Sequence, residues 1–213
     1  MFQALIAVLL SYLLGAVPFG FLMVRFLKGE DLRTVGSGNI GATNAMRALG
    51  KPLGVVAFFL DFAKGWVPVA LIAPALVSEG TENPMILAVL CGAAAVVGHV
   101  FPVYLRFKGG KAVATGCGAI VGIDPVIFLI AGVVWLITLA STRFVGLASM
   151  LMGLAFPVVA GVRGHGVWVV LGTGALAALI LARHRSNLLR MIDGTEPRIG
   201  RKSAPLGTSE EGR

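Results

Sequence analysis

Three polar stretches interrupt an otherwise apolar chain, and each carries side chains suited to an anionic substrate. The first is TVGSGNIGATNAMRALG, residues 34–50. A short helix is expected from about Gly38 onward, placing Asn39, Thr43 and Arg47 on one face at four-residue intervals. Ser37 is then expected near its N-cap, where a hydroxyl accepts a backbone N–H. An amide, a hydroxyl and a guanidinium along one edge suit a phosphate or a carbonyl oxygen. An interfacial helix whose serine only caps is the competing reading.

The second stretch is RFKGGKAVATG, residues 106–116. Lys108 and Lys111 flank Gly109 and Gly110, and an apolar helix begins near Ala112. Glycines let the backbone approach an anion, and the first N–H groups of a helix are unpaired and partly positive. Lysine adds full charge without demanding bidentate geometry. The run is not a Walker loop, lacking both the earlier glycine and a hydroxyl residue after Lys111. By itself it reads more simply as an ordinary basic turn between membrane helices.

The third stretch is RHRSNLLRMIDGTEP, residues 183–197. His184, Asn187 and Arg190 follow at spacings of three and share a face if the helix persists. Histidine titrates closest to neutrality and is a candidate general base; beside arginines at a helix end it also suits a headgroup contact. His99 and His165 are less suggestive, one at a helix end and one in a turn. Asp61 and Lys64, in LDFAKGW, are charges at membrane depth, which are costly and usually pair. They fix their helix against its neighbours, or support the substrate-binding lysines from behind. Cys91 and Cys117 read as small buried hydrophobes and form no metal pattern.

The elements that must position these groups are membrane helices. The chain has 213 residues, 57% hydrophobic and 13% charged, with a mean hydropathy of +0.89. That composition is expected of an all-α polytopic membrane protein. A bilayer core about 30 Å thick needs about 20 apolar residues per helix. Seven segments are expected, at about 3–27, 53–77, 84–106, 112–123, 125–141, 145–162 and 166–183. The fourth is too short to span alone; Asp124-Pro125 separates it from the fifth, because proline disfavours helix at the residue before it. The rival count is six, with 112–141 as one kinked span. The N-terminal run lacks a signal peptide's basic start and cleavage site and is expected to stay as the first helix. Residues 1–198 are expected to form one membrane domain and 199–213 a basic, polar, disordered tail.

Charge gives an orientation. With the N-terminus outside and seven spans, every lysine and arginine except Lys64 and Arg163 falls on the inner side, as the positive-inside rule requires. All three polar stretches then share the cytoplasmic face, which argues for a single site. The net charge of +8 would draw anionic lipids and anionic substrates to that face.

With these residues in view, GSGNIGATNAMR, GHVFPVYLRFKGGKAVAT and HRSNLLRMIDGTE, with LDFAKG between the first two, resemble the signatures of the bacterial acyl-phosphate:glycerol-3-phosphate acyltransferases, over about residues 11–196. The resemblance implies a seven-helix enzyme of the bacterial inner membrane with a cytoplasmic active site. It would move an acyl group from acyl phosphate to the 1-hydroxyl of glycerol 3-phosphate, giving lysophosphatidic acid and phosphate, the first step of phospholipid synthesis. It places functional residues at Ser37 and Arg47 with Asn39 and Asn44 alongside, and a phosphate loop at Lys108, Gly109, Gly110, Lys111 and Thr115. His184 and Asn187 are functional by the same likeness, and Glu196 supports the structure. The family's usual KGGKG ends here in Ala112, harmless or better inside a helix, but expected to weaken substrate binding if the position requires a positive φ or close phosphate approach.

Acyl phosphate is a mixed anhydride with a good leaving group, so alignment, anion binding and oxyanion donors matter more than a strong nucleophile. Direct transfer is expected, with the hydroxyl proton going to His184 or to a substrate phosphate. No cofactor or divalent metal is expected, and no nucleic-acid partner. Expected partners are both substrates, membrane lipids and the soluble synthase that supplies acyl phosphate. The alternative reading, a transporter of an anionic metabolite, lacks a polar path through the outer half and an inverted repeat.

Overall fold

The computed structural model describes residues 2–77 and 83–200. The acidic turn around 78–82 and nearly all of the expected disordered tail lie outside the described residues. Among those described, all regular structure is helical. Helix α1 (Phe2–Ala16) and helix α2 (Phe19–Lys28) occupy the first expected span, which is broken where Pro18 lacks the N–H needed to continue. The short α3 is Ala42–Leu49. The second span is α4 (Lys51–Val67), a π-helical turn at Pro68–Ile72, and α5 (Ala73–Leu76). The third is α6 (Pro84–Val100).

Helix α7 (Val113–Ile123) and helix α8 (Pro125–Thr142) are separated by Asp124 in an extended conformation. The expected break is therefore present, and the short arm is 11 residues long. Helix α9 is Val145–Val162, α10 is Val167–Arg183, and α11 is Arg185–Ile192, bent by 49° from α10. By length and composition five helical segments suit a membrane crossing, and the bent α10–α11 pair raises that to six.

Helix α1 packs on α6, α4 on α7, and α9 on both α8 and α10. The α4–α7 contact is close because two glycines face backbone: a methyl at Gly65 would strike the Thr115 carbonyl, and one at Gly118 the Phe62 carbonyl. Small residues at helix crossings are the usual device in lipid, where apolar burial no longer drives association. Val100, Ile120, Ile127, Phe156 and Ile180 form the main core. Leu129, Val133, Leu136 and Ile137 on α8 remain exposed, as lipid-facing residues should.

At the end of α7 and α8 away from α11, Asp124 accepts from Val126 N at 2.8 Å and caps α8. Its other oxygen meets Arg163 Nε at 2.6 Å and His165 Nε2 at 2.8 Å. Burial alone would raise this carboxyl, but the hydrogen bonds from His165 and Arg163 outweigh it and hold it at about 2.

Candidate active site

The first polar stretch is mainly a shaped loop, not a helix from Gly38. Asp31 caps a 3-10 turn at Leu32–Thr34 and pairs with the Arg33 guanidinium at 2.6 Å. That hydrogen bond holds the Asp31 carboxyl at about 2. Helix α3 begins only at Ala42, so Ser37 is not its cap. Asn39 stands nearer that role, its Oδ1 accepting from Gly41 N at 2.8 Å.

Asn44 is buried and staples the loop. Its amide donates to Leu32 O at 3.1 Å and Val35 O at 2.8 Å, and its Oδ1 accepts from Ser37 N at 3.0 Å. A side chain so engaged shapes the site without having donors to spare. Ser37 itself is exposed on the stapled loop, and Arg47 is exposed on α3.

The second stretch is a strained turn. Arg106, Phe107 and Ala112 have φ of 51°, 63° and 58°, and among the described residues only Arg143 joins them as a non-glycine at positive φ. Such conformations persist where surrounding contacts over-determine them, and they gather at functional sites. The glycines serve packing: Gly109 N donates to Val100 O and Gly110 N to His99 O, each at 3.1 Å. A methyl at either position would meet the end of α6. Their N–H groups are therefore occupied. Cationic groups at this turn are the exposed Arg106 and Lys108 and the half-buried Lys111, with the N-terminus of α7 beyond. Thr115, fully buried in the first turn of α7, has a hydroxyl with no hydrogen-bond partner.

The third stretch closes onto the second. Lys111 Nζ hydrogen-bonds Asn187 Oδ1. Asn187 Nδ2 donates to Glu196 Oε1 at 2.6 Å, and Arg190 Nε to Glu196 Oε2 at 2.7 Å. Burial lowers Lys111 to about 8; Arg190, Arg183 and Arg47 push the same way and Glu196 opposes them. The influence of Arg47 brings the first stretch into the same electrostatic neighbourhood.

His184 sits at the α10–α11 bend, 4% exposed, with Nδ1 2.8 Å from Ile180 O. A carbonyl requires a donor, so the proton lies on Nδ1 and the Nε2 lone pair is free to accept one. Burial pushes this imidazole down to about 4, with help from Lys111 and Arg183 and against its hydrogen bond and Glu196. Two cations that the sequence marked only as inner-face charge also enter the site. Arg183 donates to Gly110 O at 3.1 Å and Gly109 O at 3.0 Å, clamping the turn. A cavity of about 340 Å³ opens between Arg33, Gly38 and Ile40 of the first stretch, Phe107, Lys108 and Gly109 of the second, and Arg183.

The glycerol-3-phosphate acyltransferase family model matches residues 5–194. The chain belongs to the glycerol-3-phosphate acyltransferase family. Curated members include those of Aquifex aeolicus, 44% identical over 92% of this chain and 100% of the relative, and Desulforamulus reducens, 41% identical over 90% and 93%. Among solved structures, the glycerol 3-phosphate form of PlsY (YgiH), an integral membrane glycerol 3-phosphate acyltransferase, superposes with a TM-score of 0.86 at 42% identity. That match covers 92% of this chain and 96% of the other. The lysophosphatidic acid form of PlsY matches with a TM-score of 0.83 at 40% identity, covering 92% and 95%.

This glycerol-3-phosphate acyltransferase is accordingly an integral membrane enzyme of lipid synthesis, as its motifs implied, and membership decides against the transporter reading. Within the acyltransferase fold, Lys111, Asn187, Arg190 and Glu196 form one bonded chain. Arg47, His184 and Arg183 lie within electrostatic reach of Lys111 or share its neighbours. Asp61 and Lys64 stand apart from that chain, buried as an ion pair at 2.7 Å. Arg183 is the residue that spacing alone undervalued. Its place as the last residue of α10, next to His184, was the available signal.

Proposed function

We propose that this acyltransferase moves an acyl group from acyl phosphate to the 1-hydroxyl of glycerol 3-phosphate, releasing phosphate and lysophosphatidic acid, at a cytoplasmic site in the bacterial inner membrane. The observation that carries the reading is the hydrogen bond between Lys111 and Asn187, which joins two of the three polar stretches within electrostatic reach of Arg47 in the first. Two reactants that both carry phosphate repel each other, and a cluster of cations offsets that repulsion while fixing their geometry. Arg47, Lys108 and Lys111 bind the phosphates. Ser37, Asn39, Asn187 and the start of α7 at Thr115 orient the donor carbonyl or hold the loops that do. Asn44, Gly109 and Gly110 shape the walls, and Glu196 sets the orientation of Asn187.

In the transfer, the acceptor hydroxyl oxygen attacks the acyl carbon, the bond from that carbon to the phosphate oxygen breaks, and an ester bond forms. The hydroxyl proton passes to Nε2 of His184 or to a substrate phosphate. The acyl chain lies among the membrane helices. Neither a cofactor nor a divalent metal enters this scheme. A soluble synthase delivering acyl phosphate at the membrane surface is the fitting partner.

The test is purified protein with acyl phosphate and labelled glycerol 3-phosphate, scored for lysophosphatidic acid, with and without chelator. Product formed equally in chelator supports the scheme. No product, or product only from an acyl thioester, overturns it.

A further inference from the structure

His99 lies at the C-terminal end of α6, 4% exposed, and three sets of contacts converge on it. Its carbonyl accepts from Gly110 N at 3.1 Å. Its ring lies against the same glycine, so that Nε2 fills the place a side chain at position 110 would need. On the opposite side, Nδ1 has no hydrogen-bond partner and faces Asp61 Oδ1 at 3.8 Å.

Asp61 is held in turn by Lys64, whose Nζ approaches Oδ1 to 2.7 Å as a buried ion pair. The same Nζ donates to Val17 O at 2.7 Å, at the break between α1 and α2. A buried polar column thus runs from that break through α4 and α6 to the glycine turn.

We propose that His99 is a positioning residue for the acyl transfer, coupling the Asp61–Lys64 pair to the Gly109–Gly110 turn and so fixing Lys108 and Lys111 relative to each other. The inference rests on the reading of this turn as a phosphate site. A buried imidazole nitrogen left unpaired is costly, and an apolar side chain would fill the same space without that cost. The turn cannot set its own shape: both glycine N–H groups bond to the end of α6, and three neighbours hold left-handed conformations. Arg183 grips the two glycine carbonyls, which leaves the His99 ring as the contact from the core side.

The experiment compares wild type with His99→Ala, His99→Gln, Gly110→Ala and the Gly110→Ala/His99→Ala double variant. Each is checked for folding by size exclusion and thermal unfolding in detergent. His99→Ala is expected to raise KM for a phosphate-bearing substrate by about tenfold or more with a smaller fall in kcat, and His99→Gln to recover part of the loss. Gly110→Ala should be severely impaired because its methyl meets the ring, and removing the ring in the double variant should restore part of its activity. A wild-type KM in His99→Ala, or losses that simply multiply in the double variant, would overturn the proposal.

A second measurement separates this inference from the assigned reaction. Glycerol 3-phosphate should raise the unfolding midpoint of wild type, and His99→Ala should remove that rise. If wild type gives no turnover, the reaction fails and this binding shift still decides. A shift that survives His99→Ala, or no shift in wild type, counts against the positioning role.

Discussion

Lys111, just before α7, and Asn187, on α11, are hydrogen-bonded across 76 positions of sequence. Each alone is an unremarkable polar residue at a helix end. Bonded together, with Glu196 holding the other end of the Asn187 amide at 2.6 Å, they fix one charge and one amide relative to each other.

Glu196 is the keystone of that arrangement, since it also receives Arg190 at 2.7 Å. Glu196→Gln keeps an acceptor for Asn187 but loses the ion pair. It is expected to lower kcat/KM by about tenfold, with Glu196→Ala worse. Steady-state kinetics on both variants checks this; wild-type rates in Glu196→Ala would show that the orientation of Asn187 does not matter.

Lys111 predicts an alkaline limb. Its ammonium is held down to about 8, so the charge is present below that pH and disappears above it. Substrate binding should weaken as pH rises through about 8, seen as falling kcat/KM. Bound phosphate favours the ammonium, so the limb in kcat should lie higher. Lys111→Arg, which stays charged, should abolish the limb; an unchanged limb in that variant assigns it to another group.

His184 separates the two proton acceptors. Its imidazole is held down to about 4, so it is neutral, and able to accept a proton, at all pH values above that. Loss of a general base costs about two orders of magnitude or more. His184→Gln is therefore expected to lose that much kcat if the imidazole takes the proton. Substantial turnover with a flat pH profile would instead give the proton to a substrate phosphate.

Ala112 occupies a left-handed position, φ 58°, and is buried. An L-residue there is strained by about 1–2 kcal/mol relative to glycine, and the methyl's burial offsets part of that. Ala112→Gly should retain full activity and shift the thermal midpoint by only a few degrees. A large loss of activity on removing the methyl would show that Ala112 packs against something the reaction needs.

Asp124 caps α8 and ties it to the turn carrying Arg163 and His165. Asp124→Ala removes the cap and leaves Arg163 unpaired, at a cost of about 1–2 kcal/mol. Because its folded carboxyl is depressed to about 2, the stabilisation is fully present above the ordinary carboxylate pKa and fades below it as pH falls through about 2. Thermal unfolding should report the loss, with KM for both substrates unchanged.

Much of this was legible in the sequence, because helical periodicity, apolar run length and proline breaks are local. The segment boundaries, the division at Asp124 and the three polar stretches all follow from residues within a few positions of each other. The sequence left Ala112 either inside the helix or at a positive φ, and the structure places it at φ 58°.

What the sequence alone determined is the chemical inventory: a helical membrane enzyme whose signatures and cations belong to acyl transfer onto a phosphorylated alcohol. Tertiary structure decided which of those groups are still free to meet a substrate. Asn44 and the glycine N–H groups looked available but are engaged by Leu32, Val35, His99 and Val100, whereas Arg183 and His99 looked incidental yet hold the turn. The reason is that a hydrogen-bonding group is occupied or free according to neighbours brought in by packing of distant helices, and residue spacing carries no record of that packing.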